Sequence, residues 1–257
     1  MIFSYNQLTV FLLIIARIIG VLIEAPIFNS RSFPAFAKVA LAIWIAIVLW
    51  FVTPVSPQLP STIPLILLAL IFEVALGFTI GFIINIIFIA VQSAGEIMDM
   101  QMGLSVATAL DPIFGAVISI IGRICFYTAM IMFLIMNGHH LVLSGFHQSF
   151  SAIPAGQFAN FSSPNFALQM IALGSGLWLT AIKLSAPIVL LVFLSDFSFG
   201  IVSRVAPQVN VFMLGFQVKP SLGLIGFIFI LPFIVKYISH LLETMTAQLI
   251  LLINNIK

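Results

Sequence analysis

The side chains that could do chemistry concentrate in one short stretch, SAGEIMDMQMGLSVATALDPIFG, at residues 93–115. Glu96, Asp99 and Asp111 lie within it, although charged residues make up only 6% of the chain. Carboxylates among apolar residues can carry ions or protons, but acidic residues can also mark a solvated loop. No nucleophile elbow, phosphate-binding loop or HExxH motif occurs in the sequence, so these residues do not predict an enzyme.

Histidines are the other candidates, because imidazole is a common metal ligand. His139 and His140 are adjacent, so on a helix they point about 100° apart. His147 shares a face with His140 but lies two turns away, which is too far for one ion. We therefore expect no metal and no cofactor, and we interpret MNGHH at 136–140 as a capped helix end.

The composition predicts an integral membrane protein. The chain is 62% hydrophobic with a mean hydropathy of +1.28, whereas soluble proteins are roughly half apolar and a quarter charged. Three runs lack Asp, Glu, Lys and Arg, at 39–72, 74–95 and 124–182. Each can hold at least one helix of about 20 residues, the length that crosses a bilayer. The Lys and Arg residues are scattered and the net charge is +2, so we expect no nucleic acid as partner.

The apolar pattern predicts an all-α protein of long, kinked helices and helical hairpins. The apolar runs cover residues 8–28, 36–53, 63–95, 116–146, 166–195 and 221–253. Several are longer than one membrane crossing needs, so tilted or broken helices are expected. The proline-rich stretch 54–64 and the polar stretch 151–165 are predicted connections, since proline lacks the amide donor that a helix uses.

Polar and small residues form a stripe on the third run. Glu73, Gly77, Gly81 and Asn85 recur at steps of four, so they lie on one slowly rotating face of a helix. Glycines at GxxxG spacing let another backbone approach closely, and Asn or Glu beside them can hydrogen-bond across the contact. We interpret the stripe as a helix-packing face. An ion or proton path through Glu73 is the alternative, and it would need a second buried partner.

Three more charges interrupt apolar runs. Arg17 and Glu24 are seven residues apart and share a helix face, whereas Lys183 lies well inside its run. A charge near a helix end can extend to the interface, but Lys183 is too central for this and needs a protein neighbour or water. Charges spread one per helix predict that these helices face other protein more than lipid.

The segment after Glu96 and Asp99 is a candidate gate, and these two carboxylates are expected on one helix face at the water boundary. Gly103 and the Asp111–Pro112 step interrupt the helix, because the residue before proline is pushed out of the helical region. The interval between them is apolar and too short to cross a membrane. Irregular backbone persists at membrane depth only when it is buried in protein or lines a cavity. A re-entrant plug and a short interfacial loop both fit.

Five stretches, in this order, resemble the FliR family of flagellar biosynthesis proteins, which is related to the SctT components of virulence type III secretion. They are EAPIFNSRSFPAFAKVALA (24–42), EVALGFTIGF (73–82), AGEIMDMQMGLSVATALDP (94–112), NGHH (137–140) and RVAPQVNVFMLGFQVKPSLGL (204–224). The resemblance covers nearly the whole chain. The NGHH and QVNVF stretches resemble flagellar members more than virulence members.

The resemblance implies a place in a protein export gate. In this family one FliR chain joins several FliP and FliQ subunits in a helical hetero-oligomer, at the centre of the flagellar basal body in the bacterial inner membrane. It implies FlhB, FlhA and membrane lipid as further partners. Rod proteins and exported flagellar subunits would pass through the gate unfolded. Much of the apolar helix in such gates packs against other subunits rather than lipid.

The resemblance also implies roles for residues. The family's plug corresponds here to residues 104–115, which favours the plug over the interfacial loop. The predicted plug and gate residues are Gly103, Leu104, Val106, Ala109, Leu110, Asp111, Pro112, Ile113, Phe114 and Gly115. The predicted subunit contacts are Arg17, Glu24, Glu73, Gly77, Gly81, Glu96, Lys183 and Lys219. An apolar plug would exclude water and ions, with Gly103 and Gly115 as its hinges.

We expect a single FliR-like membrane domain over residues 1–257. By resemblance, residues 1–185 are a FliP-like part that contains the plug, and residues 186–257 are a FliQ-like hairpin part. Lys219 occupies the position of the loop-proximal lysine of FliQ.

The predicted function is that of a structural and gating subunit of the flagellar type III export gate, without catalysis. One alternative is the homologous SctT subunit of a virulence system. Another is an ion-coupled small-solute transporter that uses Glu73, Asp99 and Lys183. The last is a membrane enzyme that uses His139, His140 or a polar stripe around His240.

Overall fold

Seven α-helices make up nearly all of the described structure. The computed structural model of the chain describes residues 5–26, 34–51, 53, 59–105 and 119–256. The helices bounded within this part are α1 (Tyr5–Glu24), α2 (Ala35–Trp50), α3 (Ile63–Met102), α4 (Ile120–Ile135), α5 (Gly138–Ala152), α6 (Pro164–Val205) and α7 (Val211–Asn255). The same residues contain no β-strand, so the prediction of an all-α fold is confirmed.

Among the described residues, four helices are long and apolar enough to cross a membrane, namely α1, α3, α6 and α7. The last three contain 40, 42 and 45 residues. At 1.5 Å per residue they are about 60–68 Å long, roughly twice a hydrocarbon core of about 30 Å. The prediction that several helices exceed the length of one crossing is confirmed.

The run predicted at 116–146 is broken into two helices. α4 ends at Ile135 and α5 begins at Gly138, and the break falls at Asn137, whose φ is 55°. Asparagine visits this left-handed conformation more readily than most residues that carry a side chain. The Met136 amide still donates to the Met132 carbonyl at 2.9 Å, so α4 keeps its hydrogen bonds up to the break. The predicted helix end within MNGHH is confirmed.

α6 and α7 form an antiparallel hairpin. Residues 206–210 connect the two helices. Positions equally far from this connection meet, since Lys219 Nζ lies 2.5 Å from Asp196 Oδ1 and Gly226 packs against the Leu191 side chain. The prediction of a helical hairpin in the last part of the chain is confirmed.

The chain clusters into two units, and three helices contribute residues to both. The first unit comprises Met1–Ile87, Asn137–Gly174 and Leu242–Lys257, and the second comprises Phe88–Met136 and Ser175–Leu241. The predicted boundary at 185/186 falls inside α6. The division into FliP-like and FliQ-like parts stays a prediction.

In the first unit, α1 crosses α3 at glycines. A Cβ on Gly77 would overlap the Arg17 carbonyl, and a Cβ on Gly20 would overlap the Val74 carbonyl. A Cβ on Gly81 would come within 2.8 Å of another carbonyl oxygen of α1. The two backbones are therefore in direct contact, which glycine permits because it has no side chain. The interpretation of the polar and glycine stripe as a packing face is confirmed.

In the second unit, α3 and α4 pack closely as well. A Cβ on Gly95 would lie 2.5 Å from the Gly122 Cα. Further along, the Phe88 ring lies between those of Phe126 and Phe133, with centroid distances of 5.9 and 5.6 Å. Backbone contact at one end and aromatic packing at the other fix α4 against the last part of α3.

We expect Gly77→Ala to destabilise the chain, because the added methyl group would overlap the Arg17 carbonyl across the crossing. Overpacking of this kind costs about 1–3 kcal/mol, and the measurement is the thermal unfolding midpoint of the detergent-purified chain. Gly174→Ala in α6 is the matched control, because a Cβ there meets no atom within 4 Å. Equal midpoints for the two variants would contradict the close crossing.

Candidate functional site

A buried ion pair lies where α1 crosses α3. Arg17 Nε is 2.5 Å from Glu73 Oε2, and the two side chains are 0% and 2% exposed. The glycine contact at this crossing brings the two backbones together, so the paired side chains lie between helices and away from solvent. In such surroundings the attraction is strong, but each charge has lost its hydration and needs bonded partners.

The remaining polar atoms of the pair are bound by the end of α5 and the connection after it. Arg17 donates through Nη2 to the Ile153 carbonyl at 3.0 Å and through Nη1 to Ser149 Oγ at 3.3 Å. The Gly156 amide donates to the second carboxylate oxygen at 2.9 Å. The guanidinium also lies 3.9 Å from the centre of the Phe150 ring, which is a cation–π contact. The pair therefore ties three parts of the first unit together.

The carboxylate of Glu73 is a structural anion in this arrangement, since both of its oxygens accept bonds from protein donors. On the same face, Asn85 Nδ2 donates to Glu24 Oε2 at 3.0 Å, which is the hydrogen bond across the packing face that the stripe predicts. The subunit-contact roles predicted for Arg17, Glu73 and Glu24 stay predictions. Within this chain, each of them binds a residue of another helix.

In the second unit, Asp99 joins the end of α3 to the start of α4. Its Oδ2 accepts a hydrogen bond from the Ile120 amide at 3.1 Å, while Ser119 caps the same helix by accepting from the Gly122 amide at 2.8 Å. A negative charge is favourable there, because the first amides of a helix lack partners and its dipole is positive at that end. Asp99 Oδ1 is buried and has no hydrogen-bond partner among the residues that the structure describes.

The expected position of Asp99 at the water boundary is wrong. The residue is only 2% exposed, because its carboxylate turns to the α4 N-terminus instead of solvent. Glu96 is exposed as expected, and it accepts a hydrogen bond from Gln92 at 2.9 Å.

α3 ends at a glycine turn. Gly103 has a φ of 79°, a conformation that favours glycine, and its amide donates to the Met100 carbonyl at 3.1 Å. Just before the turn, Met102 is buried and packs against Gly223 of α7. The predicted interruption of the helix at Gly103 is confirmed.

Most of the predicted plug lies outside the described residues. This applies to Val106, Ala109, Leu110, Asp111, Pro112, Ile113, Phe114 and Gly115. Leu104, next to the glycine turn, is half-buried. The role of these residues as a plug stays a prediction.

A cleft of about 530 Å³ opens in the second unit beside the end of α3. Its lining includes Met102, Phe212 and Phe216, and the Lys219–Asp196 ion pair lies among them. The two charged side chains are 28% and 44% exposed, so their attraction is weakened by solvent. Lys219 has a partner in its own chain, and its predicted contact with another subunit stays a prediction.

The histidines do not form a metal site in the described part of the chain. His139 and His140 are exposed at the start of α5 with ring centroids 4.4 Å apart. No three His, Cys, Asp or Glu side chains are grouped for a metal ion among residues 5–26, 34–51, 53, 59–105 and 119–256.

The sequence profile of the bacterial export proteins, family 1, matches residues 8–245. This range contains the buried ion pair, Asp99 and the cleft. The chain belongs to this export family. The chain has long apolar helices and belongs to an export family. It is therefore a membrane protein.

Curated relatives of this chain are named for flagellar biosynthesis and for translocation of Yop proteins. Flagellar biosynthetic protein FliR of Bacillus subtilis (strain 168) is 35% identical over 84% of this chain and 83% of the relative. Flagellar biosynthetic protein FliR of Escherichia coli (strain K12) is 30% identical over 88% of this chain and 85% of the relative. Yop proteins translocation protein T of Yersinia pestis is 31% identical over 59% of this chain and 58% of the relative.

Sequence patterns miss several residues of the site. Ser149, Ile153 and Gly156 bind the ion pair through an ordinary hydroxyl and two backbone groups, which leave no signature in a sequence. Asp196 is one of few charges in its region and could have been matched with Lys219, because both flank the same predicted hairpin turn.

We expect Glu73→Leu and Arg17→Met each to destabilise the export-family chain by about 3–5 kcal/mol, because each leaves one buried charge without its counter-charge. The double variant should be more stable than either single variant, since no unpaired charge remains. The measurement is the free energy of unfolding in detergent for all four chains.

Glu96→Gln is the control for loss of a carboxylate, because Glu96 is exposed. Destabilisation in the double variant that equals the sum of the two single effects would contradict a coupled pair.

Proposed function

We propose that the chain is a structural and gating subunit of the flagellar type III protein export gate. Family membership supports a role in export, and the flagellar relatives support the kind of export. These relatives match more than four fifths of this chain, whereas the Yersinia relative matches 59% of it. The difference favours a flagellar system over a virulence system.

The observation that carries the proposal is the uncovered apolar surface of α6 and α7. In their most apolar windows only 28% and 22% of the residues are buried, against 56% and 61% in α1 and α3. Large side chains such as Trp178, Phe193 and Phe229 are exposed by 60% or more. Because these helices are about twice as long as a hydrocarbon core is thick, lipid cannot cover all of this surface. We infer that other protein subunits pack on the part of this apolar surface that lipid does not cover.

The proposed partners are FliP and FliQ, several copies of each around one copy of this chain in a helical hetero-oligomer. The complex would lie in the inner membrane at the centre of the basal body, next to FlhB and FlhA. Rod proteins and other flagellar subunits would pass through it unfolded. The chain would contribute no catalysis, and the energy for export would come from its partners and the proton gradient.

The proposed gate is the segment 104–115. Gly103 turns the chain at its start, and the bond from the Ile120 amide to Asp99 holds the helix that follows it. An apolar segment between two fixed points can exclude water and ions when closed. Displacement of this segment by an entering unfolded chain would open the channel, which is the gating role that we propose.

An ion-coupled transporter has less support. Of the three charged residues that it would use, Glu73 is bound to Arg17 and Gly156, and Asp99 is bound to the start of α4. Neither carboxylate is free to exchange an ion without breaking contacts between helices.

Native mass spectrometry tests the assembly. We expect this chain, co-expressed with FliP and FliQ of the same bacterium, to purify in a complex with one copy of itself and several copies of each partner. Expression of the chain without the partners is the control. A stable monomer or homodimer that binds neither FliP nor FliQ would overturn the proposed function.

Deletion of Leu104–Phe114 tests the gate separately. In cells that express the assembled complex, we expect the deletion to increase the leak of ions across the membrane, because the apolar closure is removed. The same deletion expressed without FliP and FliQ is the control, since no channel then forms. An unchanged leak from an intact complex would contradict the plug while leaving the assembly standing.

A further inference from the structure

Lys183 is a cation on an apolar surface. It lies near the middle of α6 and is exposed on the chain. Its neighbours along the helix are apolar and open, with Leu179, Ile182 and Leu190 exposed by 54%, 56% and 58%. Within the described part of the chain, Lys183 makes no hydrogen bond and no ion pair.

Any molecule that packs on this apolar surface must also accommodate the charged lysine. Lys183 is 19 residues from Pro164 and 22 residues from Val205, so it lies about 30 Å from either end of α6. A lysine stem is far too short to bring its ammonium group to a helix end over this distance. An ammonium group held in apolar surroundings needs an acceptor close at hand, because desolvation of the charge is costly.

The described carboxylates of this chain are engaged elsewhere. Their partners are Arg17 for Glu73, Asn85 for Glu24, Gln92 for Glu96, the Ile120 amide for Asp99 and Lys219 for Asp196. Glu243 also has a partner. A second copy of the chain would bring the same six described carboxylates, each with a bonded partner, and Asp111 lies outside the described residues. The counter-charge for Lys183 is therefore best supplied by a different chain.

Two other described cations, on α6 and α7, do not raise the same problem. Arg204 lies in the last turn of α6, where the free carbonyls and the helix dipole favour a positive charge. Lys236 is exposed on α7, but it shares a polar stripe with His240 and Glu243. Lys183 differs from both in lying near the middle of its helix, among the exposed apolar side chains of Leu179, Ile182 and Leu190.

We propose that the α6 surface around Lys183 docks an apolar helix of another subunit that carries an Asp or Glu side chain opposite the lysine. Gly176 lies two turns before Lys183 on the same face, and a Cβ there would meet no atom within 4 Å. A glycine at this place lets the partner backbone come close, which shortens the distance from its carboxylate to the ammonium group. The inference rests on the proposed function, which supplies the partner subunits.

Chemical cross-linking of the complex with FliP and FliQ tests the contact. Dicyclohexylcarbodiimide is apolar and activates carboxylates in apolar surroundings, so that a neighbouring amine can form an amide with release of the urea. We expect mass spectrometry to find a peptide containing Lys183 joined to an acidic peptide of another subunit. Lys183→Met removes this product, and Arg204→Met, at the end of the same helix, leaves it unchanged.

Recovery of the complex gives a second readout. We expect Lys183→Met to lower the amount of partner that co-purifies by about tenfold or more, because a carboxylate is left buried without its counter-charge. Lys183→Arg keeps the charge and should retain most of the partner. Arg204→Met is again the control and should behave as the unchanged chain does.

Three outcomes would overturn the inference while the proposed function stands. They are full recovery of the complex with Lys183→Met, a cross-link of Lys183 only to a second copy of this chain, and a complex in which Lys183 gains no cross-link. The last would mean that lipid or water faces the lysine. If the unchanged chain recovers no partner, the proposed function fails, and the inference fails with it.

Discussion

The organisation of the first unit depends on one interaction, the buried ion pair between Arg17 and Glu73. Its charges can be buried only because the glycine crossing places them within reach of each other and because the end of α5 and the connection after it supply three further bonds. The close helix crossing, the two charges and the bonds from the α5 end therefore depend on one another. A side chain at the crossing would separate the helices, and loss of either charge would leave the other without a counter-charge in a place that water does not reach.

In the second unit, too, a buried charge needs a partner, and here the partner of a buried carboxylate is the N-terminus of a helix. Asp99 is buried and makes no ion pair with a described cation, and its charge is offset by the Ile120 amide and the positive end of the α4 dipole. The Lys219–Asp196 pair links α6 to α7 near their connection and is partly exposed. These contacts thus differ in burial, from the enclosed pair of the first unit to the partly exposed pair of the hairpin, whose attraction solvent weakens.

Local patterns in the sequence predict contacts between helices but not the identity of the partners. The four-residue spacing of Glu73, Gly77 and Gly81 predicts a packing face, because one helix face is defined by the spacing alone. The residue that binds Glu73 lies 56 positions away, and Ser149 lies 132 positions from Arg17. No periodicity reaches over such distances. Asp99 is misjudged for the same reason, since its burial depends on where α4 begins.

The distribution of paired charges and covered surface explains why this chain suits an assembly. Where α1 crosses α3, Arg17, Glu24 and Glu73 are bonded within the chain, and more than half of the residues in the most apolar window of each helix are buried. α6 and α7 leave most of their apolar residues open and carry a lysine without a partner among the described residues. A transporter that worked alone would have to expose that surface to lipid along helices of about 63–68 Å, which a bilayer cannot match. In the proposed assembly, neighbouring subunits would cover the apolar surface that extends beyond the bilayer. Lys183 could then pair with a carboxylate of a neighbouring subunit.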